Sequence, residues 1–174
     1  MNSTIDINSL NLPDDLKSLS FDECDIVCNQ IRKTIINTVS KNGGHLSSNL
    51  GTVELSVAIH KVFDSPKDKI IWDVGHQAYA HKILTGRLSE FESLRKKDGI
   101  SGFMRPGESA HDVVVSGHSS TSISSALGFA YAMKKNNDNH HAIAVIGDGA
   151  FTGGLAFEGL NKAGKSGTNN IVIL

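Results

Sequence analysis

Apolar residues recur along this chain in two alternating rhythms. Cys24, Val27, Cys28, Ile31 and Ile35 fall at helical spacing, as do Leu55, Ala58, Ile59, Val62 and Phe63, and later Ile123, Ala126, Leu127, Ala130 and Tyr131. Each set lays one apolar stripe along a helix. Besides these sets there are short, mainly apolar runs: Lys69 to Val74, Asp112 to Ser116, His141 to Ile146 and Asn169 to Leu174. Such runs, too short for a helix and lacking polar alternation, predict buried parallel strands.

The punctuation agrees with the rhythms. Ser20-Phe21-Asp22-Glu23 is a capping box, so a helix should start there and run to about Ser40, ended by Gly43-Gly44. Gly44 to Gly51 reads as a small-residue loop with one imidazole, His45. Thr52 opens a second helix. A third should cover Ala78 to Leu84 and end near Gly86, and a short one follows Ser89. Gly99 to Asp112 reads as a long surface loop, a feature usually functional or mobile in compact domains. The last helix, Gly153 to Ala163, should end at Gly164 as its C′ residue. Residues 1–19 are polar and read as a surface arm, leaving 20–174 as one domain. Strand and helix alternate, which predicts an α/β fold: a parallel sheet with helices on both faces.

Three predicted strands end alike, in Val74-Gly75-His76, Ser116-Gly117-His118 and Ile146-Gly147-Asp148. In open α/β sheets the ligand sits at the carboxyl ends of the strands. Each ending alone is an ordinary helix cap or strand-to-helix turn. The recurrence favours a shared site wherever the three ends are neighbours. Asp148 is a hard oxygen ligand suited to Mg²⁺ or Ca²⁺. The helix start after it offers free N–H groups to a phosphate. Two imidazoles beside them, with the His45 loop able to join, suit a diphosphate ester, a divalent cation and proton transfer. A dinucleotide fingerprint fits less well, because Gly147-Asp148-Gly149 meets Thr152 where the third glycine belongs. Nucleotide or phosphate binding stays as the rival reading. His76 and His81 are five apart and do not share a helix face, which rejects a zinc site between them. His60, His111, His140 and His141 are expected on the surface or in packing.

Charge narrows the partners. The net charge is -1 and no basic tract appears, so nucleic acid is not expected. No apolar run reaches the length of a membrane span. The start, Met1-Asn2-Ser3-Thr4-Ile5-Asp6, has neither a basic nor an apolar leader segment and is acidic and Arg-free, so neither a signal nor a transit peptide is expected. Cys24 and Cys28 lie on one helix stripe, where core packing is the expected role. A reducing cytoplasm fits them.

These residues resemble the N-terminal part of the 1-deoxy-D-xylulose-5-phosphate synthases, a transketolase-like family that uses thiamine diphosphate. The resemblance lies in Gly43 to Leu55, in Ile71-Trp72-Asp73-Val74-Gly75-His76-Gln77-Ala78-Tyr79, in His81 to Arg87, in Gly117-His118-Ser119-Ser120-Thr121-Ser122 and in Gly147-Asp148-Gly149-Ala150. It covers nearly all of the chain beyond about Leu16. It implies that Asp148 is a Mg²⁺ ligand and that Gly149 and Ala150 meet the cofactor diphosphate. It further implies that His76, Gly117, His118 and Ser119 contact thiamine diphosphate, and that His45 acts catalytically above its thiazolium ring. Implied too are pyruvate and D-glyceraldehyde 3-phosphate as substrates, release of CO₂, and a homodimer serving isoprenoid and thiamine synthesis. In the family a second Mg²⁺ ligand follows the next strand, and here that strand reaches Leu174, the last residue. The expectation is therefore a diphosphate-binding domain incomplete at its C-terminal end, silent by itself.

Overall fold

The capping box forms as predicted. Ser20 Oγ accepts the Glu23 N–H at 3.3 Å, and the Glu23 carboxylate accepts the Ser20 N–H at 2.7 Å. Helix α1 (Phe21–Asn42) starts there and is closed by Gly43 at φ +74°. The computed structural model describes residues 5–174; the rest of the start that carries the leader prediction lies outside the described residues. The chain divides into two compact units: residues up to Phe63 with His76–Gly102, and Asp64–Gly75 with Phe103–Leu174.

The first unit is helical. After α1 come α2 (Leu46–Leu50), α3 (Val53–Val62) and α4 (Tyr79–Lys82), which runs into a π-type turn, Ile83–Arg87. Val27, Ile31 and Ile35 of α1 pack with Val53, Val57, Tyr79, Leu84 and Phe91. The stretch read as a surface arm contributes to this core. Two 3-10 turns, Ile7–Ser9 and Asp14–Lys17, bury Ile7 and Leu16, at about 1.5–3 kcal/mol for a fully buried side chain of this size. The Gln30 amide grips the stretch by accepting from Ile7 N and donating to Ile5 O. The buried face of α3 also differs from the apolar stripe. Val53, Ser56, Val57, Ile59 and His60 turn inward, whereas Val62 is 70% exposed. The inward-facing polar groups have partners. Ser56 Oγ donates back to Thr52 O at 2.7 Å, and His60 Nε2 shares a hydrogen bond with His81 Nδ1 at 3.0 Å. Buried polar residues with partners are invisible to a hydrophobic pattern.

The second unit holds a parallel sheet of β1 (Lys69–Trp72), β2 (Ala142–Val145) and β3 (Ile171–Ile173), in that order. Lys69 stands opposite Ala142, and Ala142 opposite Ile171. Helix α5 (Ser122–Lys135) packs Ile123, Ala126, Ala130 and Met133 with Ile71, Ala142 and Ala144 of the strands. Met133, not Tyr131, completes that stripe, since Tyr131 is 38% exposed. Helix α7 (Gly154–Lys165) comes close to α5 at Gly159, where a Cβ would stand 3.0 Å from Ser124 Oγ and 3.1 Å from Ile123 Cγ2. α7 continues through Gly164, and it is Gly167 that turns left-handed, at φ +63°. One predicted strand is absent. Val113 and Val114 pack on this core, but Asp112 to Ser116 joins no ladder. Apolar side chains secure packing; a strand also requires a neighbouring edge in register, which side-chain pattern does not encode.

Candidate functional site

The candidate residues are divided between the units. In the second unit, β1 ends at Trp72, and Asp73 keeps its N–H on Val145 O of β2 at 2.8 Å. The Asp73 side chain is buried. Its Oδ1 accepts the Ser120 N–H at 2.8 Å and its Oδ2 the Ser122 N–H at 3.0 Å. Val74 follows at φ +62°, with the Gly75 N–H returning to Asp73 O at 2.7 Å. This is a γ-turn with a β-branched residue in the left-handed region, a strained conformation that persists only where surrounding structure enforces it. A side chain at Gly75 would be strained, with φ at +86° and a Cβ 3.0 Å from Met104 Cγ and 3.2 Å from its backbone N.

Strand β2 leads through Gly147 into a single helical turn, α6 (Asp148–Phe151). Asp148 is exposed at the first position of that turn. A Cβ at Gly147 or Gly149 would meet nothing within 4 Å, so the space on both sides is open. The first N–H groups of such a turn have no acceptor within the helix. An accessible hard carboxylate beside them is the kind of oxygen ligand that would suit a divalent cation, and the free N–H groups would suit a phosphate. Gly117, His118 and Ser119 are exposed on the loop before α5. The carbonyl of His118 is held by hydroxyls, accepting from Ser116 Oγ at 2.8 Å and Thr121 Oγ1 at 3.2 Å. Ser120 sits at φ +72°, and its Oγ donates to Ala150 O of α6 at 2.6 Å. The loop of His118 is thus joined to the turn of Asp148, although the run ahead of it is no strand.

In the first unit, His45 is the N-cap of α2, so the expected loop is a helical turn. The His45 and His76 rings meet edge to face with centroids 5.2 Å apart. One residue organises both. Asn49 is fully buried; its Nδ2 donates to His45 O at 2.6 Å and His76 O at 2.8 Å, while its Oδ1 accepts the Tyr79 N–H at 2.8 Å. Thr52 Oγ1 donates to Gln77 O at 2.9 Å. Gly44, at φ +141°, leaves room for Tyr79, whose hydroxyl would stand 2.8 Å from a Cβ there. His76 and His81 go separate ways: His81 pairs with buried His60. The thiols lie in the core. Burial pushes Cys24 up, and pushes Cys28 up to about 11.

Asn49 and Ser120 are the residues that sequence reading does not single out. Their signal is faint: a polar amide within Ser48-Asn49-Leu50, and the middle residue of Ser119-Ser120-Thr121.

A family model described as 1-deoxy-D-xylulose-5-phosphate synthase matches residues 7–174. The chain is 56% identical over 168 residues to the 1-deoxy-D-xylulose-5-phosphate synthase of Heliobacterium modesticaldum, covering 97% of this chain and 26% of that protein. It is 58% identical over 162 residues to the synthase of Desulfitobacterium hafniense, covering 93% and 26%. It therefore spans about a quarter of the length of the curated relatives it matches. Among solved structures, transketolase from Leishmania mexicana has the same fold, with a TM-score of 0.75 at 19% identity over 86% of this chain and 26% of that one. A transketolase-like α/β fold and a match along nearly all of its length agree, and the chain belongs to the 1-deoxy-D-xylulose-5-phosphate synthase family.

Proposed function

We propose that this sequence carries the diphosphate-binding region of a synthase that condenses pyruvate with D-glyceraldehyde 3-phosphate, releasing CO₂ and forming 1-deoxy-D-xylulose 5-phosphate. The observation that carries this reading is Asp148, an exposed carboxylate with open space beside both flanking glycines, in a chain of a family named for that product. Thiamine diphosphate, when bound, supplies carbanion chemistry that side chains cannot. Asp148 holds Mg²⁺; Gly149 and Ala150 present backbone N–H groups to the diphosphate. Gly117, His118, Ser119 and His76 bind the rest of the cofactor. His45 moves a proton or orients the substrate carbonyl. The protein works in the cytoplasm as a homodimer and supplies isoprenoid and thiamine synthesis. The 174 residues alone turn over no substrate, because one carboxylate is a weak anchor for an ion that sheds water reluctantly.

Calorimetric titration tests the reading. A polypeptide of the relatives' full length carrying these residues should bind thiamine diphosphate only with Mg²⁺ present, and should bind neither ATP nor NAD at that seat. ATP binding without thiamine diphosphate binding would replace this reading by the nucleotide- or phosphate-binding one. Pyruvate decarboxylation by the 174-residue chain alone would show the chemistry to be misassigned.

A further inference from the structure

We propose that Asp73 and Ser120 are positioning residues for the turn that carries Asp148; the role of that turn rests on the proposed function, whereas the coupling does not. Asp73 is fixed twice. Its N–H is tied to Val145 O, one residue before Ile146 and Gly147, and its buried carboxylate takes the N–H groups of Ser120 and Ser122. A carboxylate has only acceptor sites, so it can gather two converging N–H groups where an amide of the same shape cannot. Those two bonds hold Ser120 at φ +72°, a left-handed conformation that a serine does not adopt without support. In that conformation the Ser120 hydroxyl points away from its own loop and donates to Ala150 O at 2.6 Å.

Gly153 gives the same contact from the other side. A Cβ at Gly153 would overlap Ser120 Oγ, stand 3.0 Å from Ser120 Cβ and 3.4 Å from Ala150 O. Helix α7 therefore starts close to the Ser120 hydroxyl, and a side chain at Gly153 would displace it. The chain of contact runs Asp73 carboxylate, Ser120 backbone, Ser120 hydroxyl, Ala150 carbonyl, and ends two residues from Asp148. Asp73 acts on the cation ligand through two intermediaries and meets no ligand itself.

The test uses amide hydrogen exchange on the full chain, resolved by peptide, with and without Mg²⁺ and thiamine diphosphate. Ser120→Ala removes one hydroxyl bond and no buried apolar contact. It should raise exchange in the Gly147 to Gly153 segment about fivefold, the value of one net hydrogen bond. Exchange in α1 should stay unchanged. Asp73→Asn should raise exchange both there and in Gly117 to Ser122, with Asp73→Glu restoring part of the protection and Asp73→Asn none. If Asp73→Asn yields no folded protein, Ser120→Ala carries the test, since it removes the hydroxyl contact and adds no atom. Exchange in Gly147 to Gly153 within twofold of wild type in Ser120→Ala would overturn the proposal. So would uniform acceleration across the chain, which marks loss of stability without positioning. Absence of ligand-dependent protection in a polypeptide of the relatives' full length would fail the proposed cofactor seat, while the ligand-free exchange of the 174-residue chain still decides the coupling.

Discussion

Two buried side chains of nearly identical shape organise the two units, and they do it with opposite chemistry. Asn49 in the first unit donates to the carbonyls of His45 and His76 and accepts from Tyr79 N. Asp73 in the second accepts from Ser120 N and Ser122 N. An amide serves where carbonyls and an N–H converge; a carboxylate serves where two N–H groups converge at a loop entering a helix. The candidate site residues differ in the same way. His45 and His76 sit on backbone pinned by a neutral hub, whereas Asp148 stands on an open turn held at second hand through Ser120. Candidate residues can stay exposed or half-exposed because buried polar groups behind them carry the order.

The largest test separates the roles of the exposed groups. His45→Ala, in a polypeptide of the relatives' full length, should lower turnover on the order of 10²-fold, the lower range for a general acid–base group. Thiamine diphosphate affinity should stay within a few-fold. Steady-state kinetics beside calorimetry decides it, and a large affinity loss at normal saturated turnover would exchange the roles of His45 and His118.

Next comes the swap that makes the hubs alike. Asn49→Asp leaves two carbonyls without donors and facing a carboxylate, which should cost about 3 kcal/mol of stability. Urea unfolding reads it; a loss under about 1 kcal/mol would mean that the hub is replaceable, and the comparison with Asp73 would lose its meaning.

Thiol labelling then reports the first unit selectively, since both cysteines lie in its core. With the Cys28 thiol pushed up to about 11, from an ordinary 9.0, its thiolate at pH 8 is about 100-fold scarcer than in an unfolded chain. Native alkylation should be slower by at least that factor, and Asn49→Asp should speed it. Because folding raises this pKa, the associated stability is complete below about pH 9 and is lost as pH rises towards 11. Native labelling as fast as in urea would contradict the burial of Cys28.

The smallest effect concerns Asp148. Asp148→Asn should change folding stability by less than about 0.5 kcal/mol, as for an exposed side chain. It should still raise the Mg²⁺ requirement on the order of tenfold. Unchanged Mg²⁺ dependence in a full-length polypeptide would remove Asp148 from the metal site.

Much of this was open to sequence reading because it depends on neighbours in the chain. The Ser20–Glu23 box, the α1 stripe, the apolar runs of β1, β2 and β3 and the Gly-Asp-Gly turn each declare themselves within a few residues. The proposal for Asp148, His45 and His76 rests on residue type, whereas the family was legible in motif order. Tertiary structure decided what depends on distant partners. It withheld a ladder from Asp112 to Ser116, rotated α3 so that Ser56 and His60 face inward, and drew Ile7 and Leu16 into a core. It also made hubs of Asn49 and Asp73, whose bonding partners lie up to 30 and 49 residues away. Local pattern encodes which face is apolar and which turn is tight; it carries no record of which remote N–H or carbonyl will reach a buried polar group, and that pairing holds the candidate residues in place.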